Sequence, residues 1–209
     1  MPRPRYERAA PELKTAILSA ARKEFARAGY EGASLNRILD AAGLSKGAFY
    51  YYFDDKADLA ATVLLDLYRP ATQAMDALAH PRSAVEFWSV ARRVNREQLD
   101  AFESSRESLD VLTSLGRAMV SNRELGEKIM PAFAPMAAAF LEMLRRGQEM
   151  GVVRKDMTAQ QLVGVIGAMK EGLARVAFPP QGALSPEELE KFANLTWDLV
   201  VRVVRVEEP

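Results

Sequence analysis

Five times between residues 83 and 188 a Ser or Thr is followed three positions later by Glu or Gln: Ser83 with Glu86, Ser104 with Glu107, Ser121 with Glu124, Thr158 with Gln161, and Ser185 with Glu188. That spacing lets two orphan backbone donors at a helix start be satisfied reciprocally. In the last pair Pro186 takes the first helical position, where a missing N–H does no harm. Each pair opens an apolar stripe at helical period, so this part of the chain is expected to be helical throughout.

The stripes are explicit. One runs Val85, Trp88, Ala91, Asn95, Leu99, Phe102 and another Leu109, Leu112, Leu115, Met119. A third, Ile129, Phe133, Met136, Phe140, Leu144, is predicted as one helix kinked by Pro131 and Pro135. The fourth, Leu162 to Val176, carries beside it a line of small residues, Gly164, Ala168 and Gly172, which lets another helix backbone approach closely. The last helix, from Glu187 to about Val206, is apolar on more than one side, with Trp197, Val200 and Val204 on the second. Such a helix needs burial on two sides, and a partner subunit supplies the second. Upstream, Leu13 to Phe25 marks a first helix closed by Gly29. Ser34 caps a second to about Ala42, Ser45 a short third through Phe53, and Asp55 a longer fourth. The expectation is all-α, nine helices and no strand, with a joint near His80-Pro81.

Net charge separates the ends of the chain. Lys plus Arg and Asp plus Glu both number 28 in 209 residues, yet residues 1–53 hold nine basic and five acidic side chains. A globally basic nucleic-acid binder is excluded; a locally basic one is not. Cys is absent, so neither disulfides nor thiolate metal sites are expected. No apolar run is long enough to span a bilayer, and the basic N-terminus lacks the hydrophobic segment of a signal peptide. A cytoplasmic protein without membrane partners is expected. With one histidine, beside a proline, no Gly-rich phosphate loop and no clustered metal ligands, neither an enzyme, a metal site nor a cofactor is expected.

The segment GLSKGAFYYYF, residues 43–53, packs five aromatics into consecutive positions. A strand is the obvious rival, but Ser45 is a good helix cap. Phe49, Tyr52 and Phe53 then share one face, and Lys46, Gly47, Tyr50 and Tyr51 are left on the others. So short a helix needs a brace across Gly43, which makes a helix-turn-helix. In that unit the second helix enters the major groove by its N-terminal residues. Gly47 and Ala48 allow close approach, Lys46 donates to guanine or phosphate, and phenolic hydroxyls bond phosphate oxygens.

These residues resemble a known family. ILSAARKEFARAGYEGAS, then AAGLSKGAFYYYF, then Lys56 and Leu59 are similar to the DNA-binding domain of the TetR (tetracycline-repressor) family of bacterial transcription regulators. The resemblance covers residues 13–64 and implies the same nine-helix architecture. It implies phosphate contacts from Ser34, Tyr50, Tyr51 and Lys56, and base contacts from Lys46, Gly47 and Ala48 beside the cap Ser45. Arg37 stands where the family often carries an acidic residue and is expected to add a phosphate contact; Leu39 stands where Ala is common. Arg3 and Arg5 are expected to reach DNA from a disordered arm.

The implied organisation is an arm and helix-turn-helix over 1–56, a connecting helix and joint over 57–80, and a helical ligand-binding and dimerisation domain over 81–209. Trp88, Asn95, Gln98, Met119, Phe133, Met136 and Phe140 are candidates to line a cavity for a small, largely apolar effector. Gly164, Ala168, Gly172, Trp197, Val200 and Val204 are candidates for the dimer interface. The function implied is a homodimeric repressor, released by that effector from a palindromic operator in double-stranded DNA. The alternative is a helical lipid or small-molecule carrier, or an adaptor, that does not bind DNA.

Overall fold

A computed structural model describes residues 2–77, 81, 83–103, 106–177 and 185–206. His80 and Ser104 lie outside these residues, and so does the side chain of Gln98. The helices are α1 (Pro4–Glu7), α2 (Pro11–Gly32), α3 (Leu35–Ala42), α4 (Lys46–Tyr52), α5 (Lys56–Ala77), α6 (Ala84–Glu103), α7 (Arg106–Ser121), α8 (Arg123–Ile129), α9 (Ala134–Glu149), α10 (Ala159–Ala177) and α11 (Pro186–Val204). The described residues hold no strand; a lone antiparallel bridge joins Val153 to Arg205. No helix among them is long and apolar enough to cross a membrane.

The all-α expectation holds, with departures at three places. Residues Pro4–Glu7 form a helical turn and not a disordered arm. The predicted kinked helix is instead two, α8 and α9, separated by a 3-10 turn at Met130–Phe133. Pro131 falls in that turn and Pro135 in the first turn of α9, where no intrahelical donor is lost. The start of α8 also moves by one residue. Ser121 ends α7, its hydroxyl donating to the Ala118 carbonyl, and Asn122 is the cap that accepts the Leu125 N–H at 3.0 Å. Thr158 with Gln161 and Ser185 with Glu188 form both bonds of the expected box, and Ser83 forms one, accepting the Glu86 N–H.

The helices pack as two units. The first holds α1–α4, α5 as far as Leu67, α7, α8 and the 3-10 turn. Ile17, Ala21 and Phe25 of α2, Ile38 of α3, Phe49 and Phe53, Leu59 and Val63 of α5, Val111 and Leu115 of α7, and Ile129 of α8 are all essentially inaccessible. α2 lies along both α7 and α3, so α7 and α8 pack with the N-terminal helices although the sequence groups them with the C-terminal region.

The second unit holds α5 from Tyr68, α6 to Ala101, α9, α10 and α11. Phe87, Leu144, Val153, Leu162, Ile166 and Val204 form its core, with Trp88, Phe140 and Val200 packed against them. Gly147 is required here: a Cβ would lie 2.4 Å from Val153 Cγ2 and 2.8 Å from the Phe87 ring.

Candidate nucleic-acid interface

The site is built by four caps in a row. Ser34 accepts the Arg37 N–H and opens α3. Gly43, at φ 64°, closes it: its own N–H donates to Asp40 and the Leu44 N–H to Leu39, at 3.2 and 2.9 Å. This pair of bonds is the Schellman pattern, which needs a left-handed residue and therefore favours glycine. Two residues on, Ser45 accepts the Ala48 N–H at 3.1 Å and starts α4. Asp55 then accepts the N–H groups of Ala57 and Asp58 and starts α5. Helix, left-handed turn and helix follow one another within twenty residues, as the aromatic segment required.

The aromatic residues divide by helical face. Phe49 and Phe53 are wholly buried and stacked, ring centres 5.2 Å apart. Tyr52 is half-buried, its ring edge toward Tyr6. Tyr50 and Tyr51 are 43% and 48% exposed, and Lys46 and Gly47 are exposed beside them. No atom lies within 4 Å of where a Gly47 side chain would begin. One face of α4 therefore anchors it, while the other offers a cation, two phenolic hydroxyls and a bare stretch of backbone.

Three of the residues expected to contact DNA have other partners. The Lys56 ammonium donates to the carbonyls of Tyr30 (2.7 Å) and Ala33 (3.2 Å) and lies 4.6 Å from the Tyr30 ring centre. It caps the end of α2, where the helix dipole attracts a cation. Arg37 forks onto Glu24 Oε1 at 2.6 and 2.9 Å. Arg3 is bound to Asp54, and its N–H donates to the Tyr52 carbonyl at 2.8 Å, which ties the arm down. Of the two arginines expected to reach DNA from the arm, Arg5 keeps its guanidinium clear of any carboxylate, stacked on the Tyr51 ring at 4.6 Å.

Glu24 organises this region and was not anticipated. Its carboxylate, 6% exposed, accepts from Arg37, Arg27 and the Ser34 N–H. Those donors, Arg37 first, hold its carboxyl far below the usual carboxylate range. The Arg27 partnership was legible as a helical i, i+3 pair; the Arg37 partnership, thirteen residues away, had no local signal. Asp55 was also missed as an ion-pair partner. Burial pushes its carboxyl up, but Lys128 of α8 and the backbone donors of α5 outweigh it and hold it low.

The remaining candidates are distributed between the units. Trp88 and Phe140 pack on the core of the second unit, where Asn95 and Met136 are half-buried; Met119 and Phe133 are half-buried in the first. On α10, Gly164, Ala168 and Gly172 are exposed, with open space over both glycines. On α11, Trp197 and Val200 are half-buried, whereas Val204, at 2% exposure, already lies in the core of its own chain and has no surface left to offer a partner.

The chain is similar to known proteins. The profile of the bacterial regulatory proteins of the tetR family matches residues 17–63, the span from mid-α2 into α5. The HTH-type transcriptional repressor Rv1474c of Mycobacterium tuberculosis is 30% identical over 193 residues, covering 90% of this chain and 91% of that protein. The repressor AcnR of Corynebacterium diphtheriae is 26% identical over 194 residues, 92% of each. SmeT, the repressor of the Stenotrophomonas maltophilia multidrug efflux pump SmeDEF, shares the fold at a TM-score of 0.67 and 18% identity, over 93% of this chain and 91% of its own. The chain belongs to the tetR family of bacterial transcription regulators.

Proposed function

We propose that this protein is a cytoplasmic, homodimeric transcriptional repressor that leaves a palindromic operator when a small, largely apolar ligand binds. The observation that carries the DNA-binding part is the exposed face of α4, where Lys46, Gly47, Tyr50 and Tyr51 stand clear while Phe49 and Phe53 hold the helix from behind. Residues 1–56 serve as the reading head, with Ser45 and Ala48 at its N-terminal edge, and 81–209 as the ligand and dimer region. Rv1474c and AcnR, both named as repressors, support the direction of regulation.

Two-fold pairing through α10 and α11 is supported by the exposed line Gly164, Ala168, Gly172 and by exposed Val165, Val176 and Leu195. A two-fold dimer places its recognition helices about 34–36 Å apart and so calls for a palindromic site. Release requires a ligand that prefers the arrangement in which this spacing is wrong. Candidates to meet it are Trp88, Asn95, Gln98, Met119, Phe133, Met136 and Phe140. That SmeT has been solved as a complex with triclosan supports a small-molecule effector. The continuous helix α5, which Asp55 caps beside the reading head, is the natural lever.

Titration of the full-length protein onto DNA flanking its own gene tests the reading. Specific binding is expected, falling roughly 10³–10⁵-fold between 50 and 200 mM salt if six to ten phosphates are neutralised. Lys46→Ala and Tyr51→Phe should both weaken it. Wild-type affinity in both variants, or no binding at all, would leave the carrier or adaptor alternative in its place.

A further inference from the structure

Most of the positive charge in the first 53 residues is engaged within the protein. Arg3 is held by Asp54, Lys14 by the Glu7 carbonyl, Arg22 by Asp66, and Arg27 and Arg37 by Glu24. Arg5, Arg8, Lys23 and Lys46 show no carboxylate or carbonyl partner among the described residues, and two of these four stand at α4: Lys46 as its first residue, Arg5 against Tyr51 near its end. Lys46 and Tyr51 are five residues apart, so their backbone positions are separated by about 7–8 Å along the helix axis.

Arg5 is placed there by its neighbours. Arg3 ties the start of α1 to Asp54 and to the Tyr52 carbonyl, and Tyr6 is buried, its ring 5.0 Å from that of Phe53. A four-residue helix is unstable alone, so these contacts are what order it. Electrostatics gives the placement a use. The C-terminal end of α4 is the negative end of the helix dipole, and Asp54 follows immediately. Both would repel a DNA phosphate. Arg3 neutralises Asp54, and Arg5 supplies net attraction.

We propose that Arg5 and Tyr51 form one composite phosphate-binding unit, which extends the DNA-facing surface past the C-terminal end of the recognition helix; this rests on α4 being the DNA-reading helix. The ring face seats the guanidinium, so less rotamer freedom remains to be lost when phosphate arrives. The fork keeps its N–H edges for two parallel bonds to phosphate oxygens, and the Tyr51 O–H adds a third. Arg3, two residues away, is a positioning residue and touches no DNA.

The test is fluorescence anisotropy of full-length protein on DNA flanking its own gene, from 50 to 200 mM salt, with thermal melting of every variant. Arg5→Ala should weaken binding about tenfold and lower the slope of log affinity against log salt by about 1, with an unchanged melting point. Arg5→Lys should restore the slope but not the full affinity, because the planar fork is gone. Arg5→Ala and Tyr51→Ala combined should lose less than the product of their separate losses. If Lys46→Ala weakens binding while Arg5→Ala keeps wild-type affinity and slope, the composite unit is refuted and the reading helix stands. A lower melting point with an unchanged slope in Arg5→Ala refutes it too, by showing a structural role. If the wild type binds no DNA, the reading beneath the proposal fails.

Discussion

Glu24 and Arg37 are joined by two hydrogen bonds, 2.6 and 2.9 Å, from one guanidinium to one carboxylate oxygen, linking α2 to the first turn of α3. The same carboxylate takes the Ser34 N–H at 2.8 Å, so a negative charge sits at the positive end of α3. One buried acid thereby sets the angle at which the bracing helix leaves α2.

Because the Glu24 carboxyl is held low in the folded protein, its contribution to stability is fully present above the unfolded carboxylate value of about 4.3 and is lost as pH falls below it. Glu24→Gln keeps an acceptor for Ser34 but no charge for the arginines. Its melting point should sit below that of the wild type by a few degrees at pH 7, and the gap should narrow progressively as pH falls below about 4. A gap independent of pH would show that packing, not charge, accounts for the loss.

Phe49 fills the back of α4, wholly buried and stacked on Phe53. Phe49→Ala should cost about 3–5 kcal/mol in urea unfolding. Tyr50→Phe, on the exposed face, should leave the unfolding free energy within about 0.5 kcal/mol of wild type. Comparable losses in the two variants would contradict the division of the aromatic segment into an anchoring face and an exposed one.

What the sequence made legible was local. Ser34, Gly43, Ser45 and Asp55 act within four residues of themselves, and each was assigned correctly from its type and spacing. The Ser121 box failed because Asn122, an equally good cap, stood one residue later. Partnerships between distant segments were invisible: Lys56 with the end of α2, Arg37 with Glu24, Lys128 with Asp55. Each recruits a cation that, from sequence alone, is indistinguishable from one waiting for phosphate.

Lys56 gives the sharpest check on that ambiguity. Its ammonium closes the carbonyl end of α2 at Tyr30 and Ala33. Lys56→Met should therefore lower stability by about 1–2 kcal/mol while the salt slope of operator binding stays at the wild-type value. A slope reduced by about 1 with unchanged stability would return Lys56 to the phosphate contacts.

Gly147 tests the core of the second unit. Adding one methyl would bring it to 2.4 Å from Val153 Cγ2 and 2.8 Å from the Phe87 ring, and both side chains are buried, so something must shift. Gly147→Ala should therefore destabilise by about 1–3 kcal/mol through overpacking, although alanine is the better helix former inside α9. Val153→Ala, a cavity on its own, removes the nearest clash. The double variant should then be more stable than the two single losses added together, with a coupling of about 0.5–3 kcal/mol in a denaturation cycle. Strict additivity would mean that the helix relieves the added methyl by shifting as a body, and that Val153 does not set the closeness of the packing.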